Sequence, residues 1–215
     1  MNEFIMATIV LILVGYGLLF YPKAQYNQAP KIIWTYWDKP DHLDPKRRLS
    51  NQAKEAIRSW AEYNPNYEII ILTNKTYQGY VTIPEEIRDH PALNPDYIRD
   101  LIKLWVLAER GGVWIDPTVK LSMPLDPWLF PKYAEFSGIG SEILDPRLMA
   151  CNKGSNFIKL WRDEFSQIAR FPNAEKYVES KKTAIRDPIT NVIQVAQPNW
   201  KMYPKELIVQ NVSLD

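Results

Sequence analysis

The chain has 215 residues, of which 46% are hydrophobic and 24% charged, a composition typical of a globular protein with one sizeable core. The formal net charge is +1, which gives no electrostatic basis for binding nucleic acid, and the basic cluster 46–48 is too short to change this. Cys151 is the only cysteine, so an internal disulfide is excluded, and the two histidines argue against a His/Cys zinc cluster.

The N-terminal stretch 4–21 carries no charged side chain and is rich in Ile, Leu and Val. As a helix it would be about 27 Å long, close to the hydrocarbon thickness of a bilayer, so residues 1–22 are predicted to form a single-pass membrane anchor. A buried soluble helix and a cleaved signal peptide are the alternatives. The second lacks a basic start, since Glu3 is the only charge there, and lacks a clear cleavage site. Lys23 and Lys31 follow the span, which favours a cytoplasmic domain behind it.

After a polar tether at 23–30, the folded domain is expected over residues 31–215. Strand and helix patterns alternate in its first half, which predicts helices packed on a mostly parallel sheet. The elements predicted in this half are a strand at 31–34, a helix at 50–63, a strand at 67–72, a helical turn at 84–89, a helix at 95–110 and a strand at 113–115.

The pattern is less regular beyond residue 118. The elements predicted there are short strands at 119–121, 133–139 and 147–151, a helix from Ser155 to about Arg170 and a helix from Asp187 to about Val195. The helix from Ser155 carries an apolar stripe that is expected to enter the core, with Phe157, Leu160, Trp161, Phe165 and Ile168. Residues 197–215 show no pattern that predicts an element.

The domain is organised around the stretch from Asn94 to Thr118. Asn94 is a suitable N-cap and Pro95 a suitable first helical residue, because the missing N–H of proline costs nothing there. One face of this helix is apolar at helical spacing, with Ile98, Leu101, Ile102, Trp105 and Ala108. Gly111 and Gly112 are expected to end the helix in a left-handed conformation.

The apolar run 113–115 then predicts a central strand. Pro117 lacks an N–H and favours an extended conformation for the residue before it, so the strand should end at Asp116. Asp116 is therefore expected at the carboxyl end of a strand, where open α/β sheets bind ligands. A divalent cation bound with a nucleotide needs only one or two protein oxygens, which Asp116 and Thr118 could supply. From spacing alone a plainer alternative stays open, in which Asp116 merely caps the strand, because short Asp-x-Thr strings are common.

Other side chains with relevant chemistry surround this stretch in the sequence. Asp100 and Lys103 are three residues apart, so they share one face of the preceding helix. Trp34 and Tyr36 lie at the end of the first strand, where aromatic residues serve either in packing or as a stacking surface for a base. The loop that follows is acidic, with Asp38, Asp41 and Asp44.

The segment IRDLIKLWVLAERGGVWIDPTV, residues 98–119, resembles the core signature of capsular polysaccharide synthesis proteins. It also resembles the wider group of DXD sugar transferases, which includes mannosyltransferases and bacterial glucosylating toxins. KIIWTYWD resembles the first strand of this family, SWAEYNPNYEIIIL the approach to its second strand, and MACNKGSNFIKLWRDEF its late strand and helix. The resemblance covers most of residues 30–170. It implies a GT-A-type, Rossmann-like α/β fold that binds a nucleotide-diphosphate sugar with a divalent metal at the DXD position.

Carried over to this sequence, the resemblance implies that Asp116 binds the metal and the diphosphate. Thr118 stands at the second acidic position and would complete the metal site. Asp100 corresponds to the helix aspartate that hydrogen-bonds sugar hydroxyls, and Lys103 corresponds to the arginine that contacts sugar and diphosphate. Because an arginine would restore a phosphate-matching fork, we expect from the sequence that Lys103→Arg preserves or improves turnover.

Trp34 corresponds to the first-strand residue beside the nucleobase, and Tyr36 is expected in the same nucleotide site. The resemblance therefore implies a glycosyltransferase that moves a sugar from a nucleotide-diphosphate donor to a glycan or another acceptor, and the apolar N-terminal stretch adds a membrane anchor to it. Mn²⁺ or Mg²⁺ would neutralise the leaving diphosphate. Retention of the anomeric configuration is implied by the resemblance to retaining families, and no residue stands out as a nucleophile.

Two alternatives stay open. A HAD-type phosphatase also places an aspartate at a strand end, but it requires Asp-x-Asp-x-Thr, which Thr118 and Lys120 break. The second alternative is a catalytically weak or inactive member of the fold that serves as a membrane-tethered partner in polysaccharide synthesis. It is favoured by Thr118, which replaces a carboxylate, and by Lys103, which replaces the guanidinium fork of arginine.

Overall fold

A computed structural model of the chain describes residues 29–37, 49–90, 95–127, 129, 135–140, 144–167, 200–203 and 209–211. The helices are α1 (Asn51–Tyr63), α2 (Glu85–Arg88), α3 (Pro95–Arg110) and α4 (Asn156–Gln167), with a 3-10 turn at Tyr77–Gly79. The strands are β1 (Ile32–Tyr36), β2 (Glu68–Leu72), β3 (Gly112–Ile115), β4 (Val119–Leu121), β5 (Phe136–Gly140), β6 (Leu144–Cys151), β7 (Trp200–Tyr203) and β8 (Val209–Asn211).

Six strands form one sheet in the order β2-β1-β3-β6-β5-β7, and β4 pairs with β8 in a separate two-stranded sheet. Strand β1 runs parallel to β2 and β3, whereas β6 runs antiparallel to both β3 and β5. Strand β5 also runs parallel to β7, so among the six described strands only β6 is reversed, and the sheet is mixed but mostly parallel, as predicted. Strand β6 is reversed because the connection from Gly140 to Leu144 is too short for the crossover that parallel neighbours need.

Most predicted elements within the described residues are confirmed, with ends that move by a few positions. Leu160 is a correction, because its side chain is 40% exposed whereas Phe157, Trp161 and Phe165 of the same helix are buried. The buried residues of α4 recur every fourth position, and Leu160 falls beside that stripe. The tail at 197–215, for which the sequence predicted nothing, contributes β7 and β8.

Several predicted features lie outside the described residues. They are the membrane anchor at 1–22, most of the tether, the acidic loop, the Asn94 cap, the residues from Ile168 to Arg170 and the helix at 187–195. Among the residues that the structure does describe, no helix has the length and apolar character needed to cross a bilayer.

Helix α1 fixes the chain that follows β3. The Trp60 indole N–H donates to the Val119 carbonyl at 2.7 Å, and the Leu121 N–H donates to the Ser59 hydroxyl at 3.0 Å. Both contacts reach β4, whose backbone also pairs with β8. Strand β4 is thus held away from the large sheet, and this fixes the turn that begins at Asp116.

Strand β3 alternates between two apolar cores. Val113 and Ile115 pack with Trp60 of α1 in one core, whereas Trp114 packs with buried residues of α3 and α4 in the other. Because side chains alternate along a strand, the Asp116 side chain projects from the same face of the sheet as that of Trp114 and faces α3.

The turn from α3 into β3 has the left-handed backbone that the sequence predicted. Gly111 has φ 68° and Gly112 has φ 97°. The Trp34 indole N–H donates to the Gly111 carbonyl at 2.8 Å, so the turn is also packed from β1. A Cβ on Gly111 would lie 2.5 Å from the backbone nitrogen of Lys153. There is no room for a side chain at this corner.

We expect Gly111→Ala to destabilise the fold by more than about 2 kcal/mol, because left-handed backbone costs an alanine about 1–2 kcal/mol and the clash adds to that. Gly79→Ala is the matched control, since a Cβ there would meet no atom within 4 Å. Thermal unfolding followed by circular dichroism measures the difference. Equal melting temperatures for the two variants would contradict the tight packing of this corner.

Candidate active site

Asp116 lies at the carboxyl end of β3, as predicted. Its N–H still pairs with β6, donating to the Arg147 carbonyl at 2.8 Å, and the chain then turns so that the Val119 N–H donates to the Asp116 carbonyl at 2.9 Å. The Asp116 side chain is 14% exposed. The carboxylate is therefore at the edge of the sheet but far more enclosed than a surface carboxylate.

Helix α3 brings Asp100 and Lys103 next to this carboxylate. Lys103 Nζ lies 3.0 Å from Asp100 Oδ1 and 4.0 Å from Asp116 Oδ2. The same ammonium donates to the Pro146 carbonyl at 3.3 Å and lies 5.2 Å from the centre of the Trp114 ring. The Lys103 side chain is only 1% exposed. Lys103 is thus a buried counterion between two carboxylates, and its ammonium does not face solvent.

Arg147 is a site residue that sequence reasoning missed. Arg147 lies on β6, next to Asp116 at the end of β3. Its guanidinium forms a bidentate ion pair with Asp145, in which Nη2 donates to Oδ2 at 2.6 Å and Nε donates to Oδ1 at 3.0 Å. The Arg147 backbone N–H donates to the same Oδ1 at 3.0 Å. The Asp-x-Arg spacing is a local signal for such a pair. Only the pairing of β6 with β3, however, places it next to Asp116.

Arg99 was also missed, although it directly precedes Asp100 in the sequence. Its Nη1 lies 3.0 Å from Asp96, and its Nε lies 3.6 Å from Asp100 Oδ1. Burial alone would lower the pKa of the Arg99 guanidinium, but the charges of Asp100, Asp116 and Asp96 raise it. Arg99 therefore remains a cation beside the paired carboxylates.

The surroundings of Asp116 disfavour its charge. Burial raises the pKa of this carboxyl, and the nearby charge of Asp100 acts in the same direction. Lys103, Arg99 and Arg147 oppose the shift without cancelling it. Among the described residues, the cationic nitrogen closest to the Asp116 carboxylate is 4.0 Å away. The carboxylate can therefore be stabilised by a further cation.

Thr118, two residues further on, also lacks a close polar contact among the described residues. Its hydroxyl oxygen is buried and makes no hydrogen bond in the part of the chain that is described. Within that part there is also no group of three or more His, Cys, Asp or Glu side chains that could hold a metal by themselves. One carboxylate and one hydroxyl nevertheless suit Mg²⁺ or Mn²⁺ bound with a nucleotide, since the phosphates provide other ligands. The residues present fit such a shared metal.

Trp34 does not lie with Asp100, Lys103 and Asp116 in the structure. Trp34 is 1% exposed, and its indole N–H is bonded to Gly111 at the amino end of β3, away from Asp116. Tyr36 is at the carboxyl end of β1, on the same edge of the sheet as Asp116, and is 8% exposed. Asp100, Lys103 and Asp116 therefore lie together in the structure. Tyr36 lies at the same edge of the sheet, and Trp34 packs in the core.

Two curated proteins are similar to the chain in sequence. It is 24% identical over 195 residues to "Subversion of eukaryotic traffic protein A" of Legionella pneumophila. The aligned region covers 75% of this chain and 29% of that protein. It is 25% identical over 117 residues to the "Initiation-specific alpha-1,6-mannosyltransferase" of Candida albicans, which covers 51% of this chain and 29% of that protein. The chain therefore spans less than a third of the length of these relatives.

Among solved structures, the chain is similar to the PaToxG glycosyltransferase, with a TM-score of 0.59 at 14% identity, over 89% of this chain and 79% of that one. The mixed α/β fold is thus shared with a glycosyltransferase, which confirms the fold prediction at this level. The family model for "Capsular polysaccharide synthesis protein" matches residues 19–169, which include α3, the glycine turn and β3. The chain belongs to the capsular polysaccharide synthesis protein family.

Proposed function

We propose that the chain is a glycosyltransferase that moves a sugar from a nucleotide-diphosphate donor to a glycan acceptor, with Mg²⁺ or Mn²⁺ held by Asp116 and Thr118. The observation that carries the proposal is the Asp116 carboxylate at the carboxyl end of β3, enclosed but with no described cationic nitrogen closer than 4.0 Å. Membership of the family and the mannosyltransferase among the relatives support it. Retention of the anomeric configuration is part of the proposal and rests on the resemblance alone.

Each residue would have a separate task. Asp116 and Thr118 would hold the cation, which when bound neutralises charge on the departing diphosphate. Asp100 uses Oδ1 for its contacts with Lys103 and Arg99, which leaves Oδ2 to accept a hydrogen bond from a sugar hydroxyl. From the buried side of the site, Lys103 would neutralise part of the charge of both carboxylates and keep them in position.

A donor screen tests this function. The full-length protein is incubated with a panel of nucleotide-diphosphate sugars and Mn²⁺ or Mg²⁺, and both the melting temperature and the released nucleoside diphosphate are measured. We expect one donor to raise the melting temperature and to be hydrolysed slowly in a metal-dependent manner. The absence of both effects across the panel would contradict the proposal.

A non-catalytic partner in polysaccharide synthesis is the second candidate. It is favoured by the enclosed Lys103 and by Thr118, which offers a neutral hydroxyl in place of a second carboxylate. For such a protein, the same screen would show donor binding that does not depend on metal and is not followed by turnover.

We also propose that residues 1–22 anchor the protein in a membrane with the folded domain on the cytoplasmic side. The support is the charge-free apolar run and the lysines that follow it. We expect deletion of residues 1–22 to move the protein from the membrane fraction to the supernatant after cell lysis, while the remaining domain keeps a cooperative thermal unfolding transition. Persistence in the membrane fraction would contradict a separable anchor.

A further inference from the structure

In the proposed reaction, a cationic side chain that the diphosphate can reach would share the neutralisation of its charge with the metal. Lys103 is poorly placed for this contact, because it is 1% exposed and its ammonium already meets Asp100 at 3.0 Å and the Pro146 carbonyl at 3.3 Å. A ligand could reach it only if the ammonium left these buried partners, and an unpaired carboxylate would then remain behind.

Arg147 lies beside the metal-binding candidate and is more accessible. Its side chain is 33% exposed. The last paired residues of β3 and β6 are Ile115 and Leu148, and the next pair is joined by the hydrogen bond from Asp116 N–H to the Arg147 carbonyl. Residues directly opposite each other in antiparallel strands project to the same face of a sheet. Asp116 and Arg147 therefore share one face at one edge.

The Asp145 carboxylate holds this guanidinium in one orientation. Both oxygens of Asp145 accept from Arg147, and Asp145 is itself only 7% exposed. The fork uses Nε and Nη2, and no described contact uses Nη1. Arginine presents five N–H donors in a planar array, so a guanidinium bound along one edge can still bind phosphate oxygens along another. Because the side chain is already ordered, less conformational entropy is lost when a ligand binds.

We propose that Arg147, oriented by Asp145, is the cationic side chain that contacts the diphosphate of the sugar donor. Lys103 then serves only as a buried counterion of Asp100 and Asp116. The inference rests on the proposed function and assigns the diphosphate contact to a residue far in sequence from the Asp-x-Thr segment. It also explains how a lysine can stand at position 103 without loss of a phosphate-binding fork, since Arg147 supplies one.

The test uses inorganic pyrophosphate with Mg²⁺ as the probe and isothermal titration calorimetry of the full-length protein. We expect Arg147→Gln to weaken pyrophosphate binding by roughly tenfold to a hundredfold, the usual cost of losing hydrogen bonds to a charged group. Arg147→Lys keeps the charge but not the fork, so its affinity should be intermediate. Arg58→Gln, at an exposed position of α1, is the matched control and should bind like the wild type.

Since Arg147→Gln removes the guanidinium from the buried Asp145 carboxylate, the double variant Asp145→Asn/Arg147→Gln is measured as well. It should melt close to the wild type and bind as weakly as the single variant, which separates loss of the contact from loss of the fold. Wild-type affinity in the double variant would overturn the role of Arg147 and leave the proposed function standing. A wild-type protein that binds no pyrophosphate would overturn the proposed function itself, and this inference with it.

Discussion

Asp116→Asn is expected to lower metal-stimulated turnover by roughly 10²–10³-fold, as is typical when a group that stabilises developing charge is removed. The amide keeps the shape of the carboxylate but carries no negative charge, and hard cations such as Mg²⁺ and Mn²⁺ prefer carboxylate oxygens. Thr118 cannot compensate, because a neutral hydroxyl is a weak ligand by itself. Release of nucleoside diphosphate at saturating Mn²⁺ is the measurement.

The fold of this variant should persist. The Asp116 side chain makes no ion pair closer than 4.0 Å, and its burial disfavours the charge that the substitution removes. We therefore expect a melting temperature within a few degrees of the wild type. Asp163→Asn makes the same change at an exposed position of α4 and should alter neither quantity. An unfolded Asp116→Asn would show that Asp116 is a structural strand cap, and a folded, fully active one would contradict the site.

Lys103→Met is expected to destabilise the fold by about 3–5 kcal/mol, the usual result of removing one partner from a buried ion pair. Methionine has a similar length, so the main loss is the ammonium that now lies 3.0 Å from Asp100 and 4.0 Å from Asp116. Without it, the enclosed carboxylates of Asp100 and Asp116 would lose the ammonium that both share. The midpoint of urea unfolding at neutral pH measures the effect.

Lys54→Met is the matched control, because Lys54 is exposed on α1 and its loss should change the free energy of unfolding by less than about 0.5 kcal/mol. The structure also changes the expectation for Lys103→Arg. A larger guanidinium in a fully enclosed site should cost about 1–3 kcal/mol through overpacking, so we expect lower stability and no gain in turnover. Unchanged stability in Lys103→Met together with faster turnover in Lys103→Arg would show that position 103 faces the ligand.

The local geometry of the site could be predicted from the sequence. Proline and glycine limit backbone dihedrals within a few residues, so the start of α3, the left-handed turn at Gly111 and the strand end at Asp116 could all be predicted. Helical spacing likewise placed Asp100 and Lys103 on one face of α3. The family signature lies within this same continuous stretch, which is why the family could be identified before the fold was known.

Which residues meet at the site depends on long-range packing and could not be predicted from the sequence. The adjacency of Asp116 and Arg147 depends on the insertion of β6 between β3 and β5. The short strands β7 and β8 pair with β5 and β4, which are distant from them in the sequence. The burial of Lys103 likewise depends on the packing of α3 against β3. Periodicity records which face of an element is apolar, but not which other element covers that face. Pairing between distant segments is settled by the free energy of the whole packed sheet, and no local pattern carries that information.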